Sequence, residues 1–125
     1  MLRKVISPRK KLNDGAAAEQ LAERYLVEQG YQCIARNFHS RVGEVDLIMR
    51  HGNTIVFVEV RYRANTSRGT ASESVTKHKY LRCLKTAEYW LTKNNLQNSQ
   101  YQIDVIAIDG QLSVDNLHWL QAVQI

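Results

Sequence analysis

The stretch Thr54-Ile55-Val56-Phe57-Val58-Glu59-Val60-Arg61 constrains this chain most. It is rich in β-branched and aromatic residues, which predicts a strand. Apolar side chains occupy both parities, so the strand should be covered on both faces. A single carboxylate, Glu59, interrupts the run between Val58 and Val60. A charge there is costly unless it is paired. Upstream, Gly52-Asn53 separates this run from a second one, Glu44-Val45-Asp46-Leu47-Ile48-Met49-Arg50. Glycine suits the first central position of a two-residue hairpin loop. His51 then pairs with Thr54, and paired positions add to 105. By that register Asp46 faces Glu59 and Glu44 faces Arg61. Side chains alternate along a strand, so all four should share one face of the sheet.

Two directly opposed carboxylates have Cβ atoms roughly 5 Å apart, and like charges so placed are destabilising. A cation between them removes the conflict. Arg61 supplies part of it, and a divalent ion such as Mg²⁺, which needs few carboxylates and several waters, would supply more. The alternative is an ordinary charged network, with Glu44 paired to Arg61 and two solvated acids beside them.

A chain of 125 residues predicts one domain. With 44% hydrophobic and 23% charged residues and one proline, it has the balance of a folded globular protein. It is long enough to bury a core without staples. Cys33 and Cys83 form no C-x-x-C pair, which argues against structural zinc and a disulfide framework and for a reducing compartment. The basic N-terminus lacks the apolar run of a signal peptide, and no stretch is long enough to span a membrane. A cytoplasmic protein without membrane contact is therefore expected. Lys plus Arg is 17 against 12 for Asp plus Glu, a net charge of +5. That suits a phosphate-rich partner, or simply keeps the chain soluble. Residues 1–13 carry Arg3, Lys4, Arg9, Lys10 and Lys11 and no acid before Asp14. They read as a mobile basic arm, lying on a phosphate backbone or free in solvent. Residues 14–125 read as a single α/β domain.

A first helix is predicted from about Gly15 to Gln29, capped by Asn13 or Asp14 and ended by Gly30. Its apolar face is Ala18, Leu21, Ala22, Tyr25 and Leu26, and Glu19 sits beside that face, within reach of the sheet edge. Residues 33–38 form a further strand, and 62–74 an exposed loop. A second helix follows from Val75 to Asn94, capped by Ser74 or Thr76, with Tyr80, Leu84, Ala87 and Leu91 buried and Leu81 and Trp90 widening the stripe. Tyr101 to Ile108 is a strand, Asp109-Gly110 signals a hairpin, and Gln111 to Val114 begins the return. The tail through Trp119 adds a short edge strand. The order α, β, β, β, α, β, β implies a mixed sheet with helices covering it. Trp90 and Trp119 are read as packing residues, and the four histidines show no metal-ligand spacing.

Asp46, followed thirteen residues later by Glu59-Val60-Arg61, resembles the catalytic motif of the PD-(D/E)XK nuclease superfamily, the restriction-endonuclease-like fold. Gly15 with Glu19, Gly43-Glu44-Val45-Asp46-Leu47-Ile48, Phe57-Val58-Glu59-Val60-Arg61 and Val75-Thr76-Lys77-His78-Lys79 are together similar to the YraN-like family of small bacterial proteins. An E-x-[KR] alone is a weak motif; the ordered set is specific. The resemblance covers roughly residues 13–120. It implies a mixed β-sheet with a central antiparallel hairpin and two main helices. It also implies Mg²⁺ or Mn²⁺ held by Asp46 and Glu59 with the Val60 carbonyl, and Glu19 contacting the metal or its water. In the superfamily a lysine next activates water at the scissile phosphate. Arg61 stands in that place, and Lys79 matches a family lysine able to approach a phosphate.

Arginine keeps the charge and grips phosphate with two prongs, but it is effectively never deprotonated. Arg61 thus suits electrostatic stabilisation and not proton transfer. The resemblance implies a nucleic-acid-binding, metal-dependent endonuclease acting on structured DNA in the manner of a junction resolvase, with catalytic Asp46, Glu59, Arg61 and Glu19. Nucleic-acid contacts would come from Arg9, Lys10, Lys11 and Lys79, and a junction substrate would favour a homodimer. The rival readings are a nuclease-fold binding module without turnover and a protein-interaction domain.

Overall fold

A computed structural model describes residues 13–125. The expected basic contacts Arg9, Lys10 and Lys11 lie outside these residues. Helix α1 spans Asp14–Glu28, strands β1 Gln32–His39, β2 Glu44–His51 and β3 Thr54–Arg63, helix α2 Lys77–Lys93, and strands β4 Gln100–Asp109 and β5 Leu117–Leu120. Short 3₁₀ turns at Ser72–Ser74 and Val114–Asn116 precede α2 and β5. Asn13 caps α1 by accepting the Ala16 N–H at 2.7 Å, and Thr76 caps α2 by accepting that of Lys79.

The five strands lie in the order β1-β2-β3-β4-β5, antiparallel except for the β3–β4 pair, which is parallel. Only a crossover can join parallel neighbours, and α2 is that crossover. This is the α/β architecture expected of a restriction-endonuclease-like fold. The predicted hairpin register is observed from His51–Thr54 to Leu47–Val58, where the ladder ends, so the expected Asp46–Glu59 pair is not part of it. Gly52 takes φ +59° in the turn, the conformation for which glycine is suited. Strand β3 is covered on both faces, as its apolar run requires. Val56, Val58 and Val60 pack with Ala18, Ala22 and Leu26 of α1. Ile55 and Phe57 pack with Cys83, Ala87, Trp90 and Leu91 of α2.

Three expectations are corrected. The buried stripe of α2 is Cys83, Thr86, Ala87, Trp90 and Leu91, whereas Tyr80 and Leu84 are only half-buried and Leu81 is 45% exposed. The indole of Trp90 meets the Phe57 ring edge-on at 5.7 Å, which turns the helix toward Trp90 and away from Leu81. The return strand does not begin at Gln111. The Gly110 N–H donates to the Arg63 carbonyl at 2.8 Å and its carbonyl accepts from Tyr62 Oη at 2.7 Å. Gly110 is thereby tied to β3, and β5 starts only at Leu117. Strand β3 also outruns its expected end, because β4 stays paired with it to Arg63 and Asp109. The expected short edge strand through Trp119 is present. Fully buried Asp104 anchors it, accepting hydrogen bonds from Gln102 Nε2, Trp119 Nε1 and the Ala122 N–H at 2.8, 2.9 and 2.9 Å.

The approach of α2 to the start of β2 depends on Gly43. A Cβ at this position, where φ is +154°, would lie 2.7 Å from Thr86 Oγ1. The hydroxyl cannot simply turn away, since it donates to the Arg82 carbonyl at 2.7 Å. Gly43→Ala should therefore destabilise the fold by about 1–3 kcal/mol, the usual cost of overpacking. Chemical denaturation checks this; a variant as stable as wild type would show that the helix and turn separate freely.

Candidate active site

Beyond Leu47 and Val58 the β2–β3 ladder gives way to a side chain. The Val60 N–H donates to Asp46 Oδ2 at 2.8 Å. The carboxylate takes the place of a backbone acceptor, so the strands part without stranding the buried donor. Asp46, Glu59 and Val60 line the resulting cleft, of about 640 Å³. Glu19 of α1 and Glu44 at the start of β2 line it as well.

Crowding of acids in this partly buried space shifts their protonation. Burial first, then the Asp46 charge and a hydrogen bond with Asp46, push the Glu19 carboxyl up to about 7 against an opposing contact from Asn37. Asn37 sits at φ +50°, a backbone conformation that asparagine tolerates. Burial, followed by the Asp46 charge, also pushes Glu59 up to about 7, against the pull of Arg61. Asp46 is raised by burial too, opposed chiefly by its bond from Val60. Cys83 is pushed up to about 12 by burial and by the Glu59 and Asp46 charges, so its thiol lines the cleft uncharged.

Cations reach the same cleft from β3 and α2. Arg61 Nε donates to Ser74 Oγ at 2.9 Å, and Nη1 lies 3.5 Å from Glu59 Oε2. Lys79 Nζ donates to the Ser74 carbonyl at 3.1 Å. His78 and Arg82 complete the wall on that side. The cleft is therefore acidic where β2, β3 and α1 meet and basic along α2.

The structure brings together Glu19, Asp46, Glu59, Val60, Arg61 and Lys79, each singled out in the sequence. It does not pair Glu44 with Arg61. Glu44 Oε2 instead lies 3.0 Å from His39 Nδ1, because His39 and Glu44 are cross-strand partners while the β2–β3 ladder has already ended. Sequence reasoning missed Ser74, which it treated only as a possible helix cap, and it gave His78, Arg82 and Asn37 no role. The i, i+4 spacing of His78 and Arg82 was a usable signal. Nothing in the sequence marks Ser74 as the partner of two cations.

The donors that could hold a metal are all hard oxygens: the Asp46 and Glu59 carboxylates, the Val60 carbonyl and, at the side, Glu19. That chemistry fits Mg²⁺ or Mn²⁺ rather than a soft ion. Among the described residues no three His, Cys, Asp or Glu side chains close into a complete metal cage. Mg²⁺ does not need one, since it is commonly bound by one or two carboxylates and keeps several waters.

The uncharacterised protein family UPF0102 matches residues 18–108. A UPF0102 protein of Marinomonas sp. (strain MWYL1) is 45% identical over 111 residues, covering 89% of this chain and 87% of that one. A relative from Vibrio campbellii is 45% identical over 109 residues, covering 86% and 88%. Another from Aeromonas hydrophila is 43% identical over 109 residues, covering 86% and 81%. The matched span contains Glu19, Glu44, Asp46 and Glu59 together with Arg61 and Lys79; Asp14, which also lines the cleft, precedes it. The chain belongs to the UPF0102 family, the YraN-like group of bacterial proteins.

Proposed function

We propose that this protein is a metal-dependent endonuclease hydrolysing phosphodiesters in structured DNA. One observation carries the reading: carboxylates from α1, β2 and β3 and cations from β3 and α2 line a single cleft. Acids alone would suit a cation, and bases alone an anion. Both together suit a metal ion seated against a phosphate.

Asp46 and Glu59, with the Val60 carbonyl, are the residues that would hold Mg²⁺ or Mn²⁺. The ion, when bound, lowers the pKa of its water and offsets charge developing on the phosphate. Arg61 binds and orients that phosphate; it takes no proton. Lys79 adds a point charge beside it. Glu19, with a carboxyl pushed up to about 7, holds the proton lost by the attacking water. A second reading, a binding module without turnover, is favoured by the Arg61 guanidinium, whose Nε is already committed to Ser74. In the third, a protein-interaction domain, the basic surface serves only solubility. Salt-dependent binding to DNA excludes the third, and metal-dependent cleavage excludes both.

A cleavage screen on single-stranded, duplex, flap and four-way-junction DNA with Mg²⁺ or Mn²⁺ tests the proposal. Cleavage should vanish in Asp46→Ala. Arg61→Lys should retain it, and Arg61→Ala should lower it about 10²-fold or more, the scale for losing one preorganised electrostatic contact. Arg61→Ala cutting at the wild-type rate would remove Arg61 from the reaction.

The crowded acids give a second, activity-independent prediction. Glu59 binds its proton more tightly folded, at about 7, than at its ordinary value of 4.5. Between those pH values the unfolded chain holds fewer protons, so this residue's contribution to stability falls as pH rises and is lowest above about 7. Without metal, Glu59→Gln should therefore melt above wild type at pH 8, and the gap should close toward pH 4.5. Added Mg²⁺ should narrow the gap at pH 8 by stabilising only the wild type. A gap independent of pH would show that Glu59 is not strained by its neighbours.

A further inference from the structure

Helix α2 carries five Lys or Arg residues and one acid, Glu88. Glu88 is turned aside, accepting a hydrogen bond from Tyr101 Oη at 3.2 Å. Among the described residues none of the five cations is ion-paired; the salt bridges are Arg36–Glu23, His39–Glu44 and Arg61–Glu59. Exposed charges on a helix usually come in mixed sign, with pairs at i, i+4 that stabilise it. Here five cations stand against one acid, and none of the five has an ion-pair partner among the described residues, which offers the helix itself little.

The placement is ordered. His78, Arg82, Lys85 and Tyr89 recur at helical spacing, and all are exposed, as is Lys93 at the end of the helix. They flank the buried stripe of Cys83, Thr86, Ala87, Trp90 and Leu91 on its Thr86 side. The row starts inside the cleft, where His78 and Arg82 line the wall, and continues about 22 Å along the helix to Lys93. That is about the axial length of six base pairs of duplex. Tyr89 in this row stacks its ring on Phe38 at 6.4 Å, with Lys93 Nζ 6.0 Å from its centroid.

We propose that the solvent face of α2 is a track for a nucleic-acid backbone, with Arg82, Lys85 and Lys93 contacting successive phosphates outward from the cleft. The inference rests on the nucleic-acid reading of the cleft and extends it, assigning the strand's path over the protein. Charge complementarity fixes the occupant. A row of unpaired cations continuous with a phosphate seat matches a polyanion of regular charge spacing. Such contacts hold register and carry no sequence preference.

The test uses the full chain in chelator, so that no cleavage occurs, and measures anisotropy of a labelled duplex and a labelled single strand from about 50 to 200 mM salt. Lys85→Ala with Lys93→Ala removes two charges outside the cleft. Arg24→Ala with Arg50→Ala removes two exposed charges elsewhere, on α1 and at the far end of β2. The first pair should weaken duplex binding about tenfold and flatten the log–log salt slope by about 1.8, the loss of two phosphate contacts. The second pair should bind nearly as wild type. Equal weakening by both pairs would overturn the track and leave only bulk charge. Wild-type binding unaffected by the first pair would also overturn it, confining contact to the cleft. No wild-type binding to either probe would overturn the nucleic-acid reading along with it. Circular-dichroism melting of both pairs confirms that they are folded.

Discussion

The hydrogen bond from the Val60 N–H to Asp46 Oδ2 is the contact on which the cleft depends. Two paired strands have no room between them for chemistry, and strands that part must leave backbone donors unsatisfied. Asp46 resolves this by putting a carboxylate where the next ladder carbonyl would have been. The bond is charge-assisted, so it is stronger than the one it replaces. It also fixes the orientation of the carboxylate. One oxygen is committed to the backbone, and the group meets Glu19 at the cleft. The opening of the sheet and the aim of its central acid are therefore one event.

Everything else reaches that opening from an element with another structural task. Helix α1 packs Ala18 and Ala22 against the sheet, and Glu19, one residue past Ala18, is carried to the side of Asp46. Helix α2 covers the opposite face, and its first two turns bring His78, Lys79 and Arg82 to the cleft wall. The parallel pairing of β3 with β4 makes the crossover necessary, and the crossover delivers Ser74 to Arg61. The acid-rich and base-rich walls follow from which helix covers which face.

The hairpin and its register were legible because they rest on local chemistry. Gly52-Asn53 specifies the turn, and a period of two then directs Asp46 and Glu59 to one cleft, although the ladder ends before they pair. Glu19 was legible as a residue beside, not on, an apolar stripe. The Glu44–Arg61 pairing was not, since extrapolating a register assumes that the ladder continues, and here a side chain ends it. The rotation of α2 was hidden for a related reason. Periodicity finds an apolar arc, but the depth to which the helix sinks depends on Gly43 lying beneath Thr86, a contact between residues 43 positions apart. Asp109-Gly110 has the composition of a tight turn, yet Tyr62 and Arg63 hold Gly110 in place and the chain returns later. Local signals survived where their residues were neighbours in sequence, and failed where a partner came from another strand.

Arg61 shows why such a partner matters to the chemistry. A lysine among these carboxylates would itself be held in its charged form by the neighbouring negative charge. The difference between Lys and Arg at this position is therefore chiefly one of direction. Arg61 commits Nε to Ser74 Oγ and turns Nη1 toward Glu59, so that Nη2 has no hydrogen-bond partner among the described residues. Lys79 gives one of its three donors to the carbonyl of the same serine. Ser74 itself is 8% exposed, and its hydroxyl in turn donates to the Ala71 carbonyl. Its hydroxyl and carbonyl thus set the angle between two cations that arise from different elements. A point charge alone would attract a phosphate from any direction. In the proposed endonuclease, two cations aimed by a single buried residue would favour one approach of the phosphate.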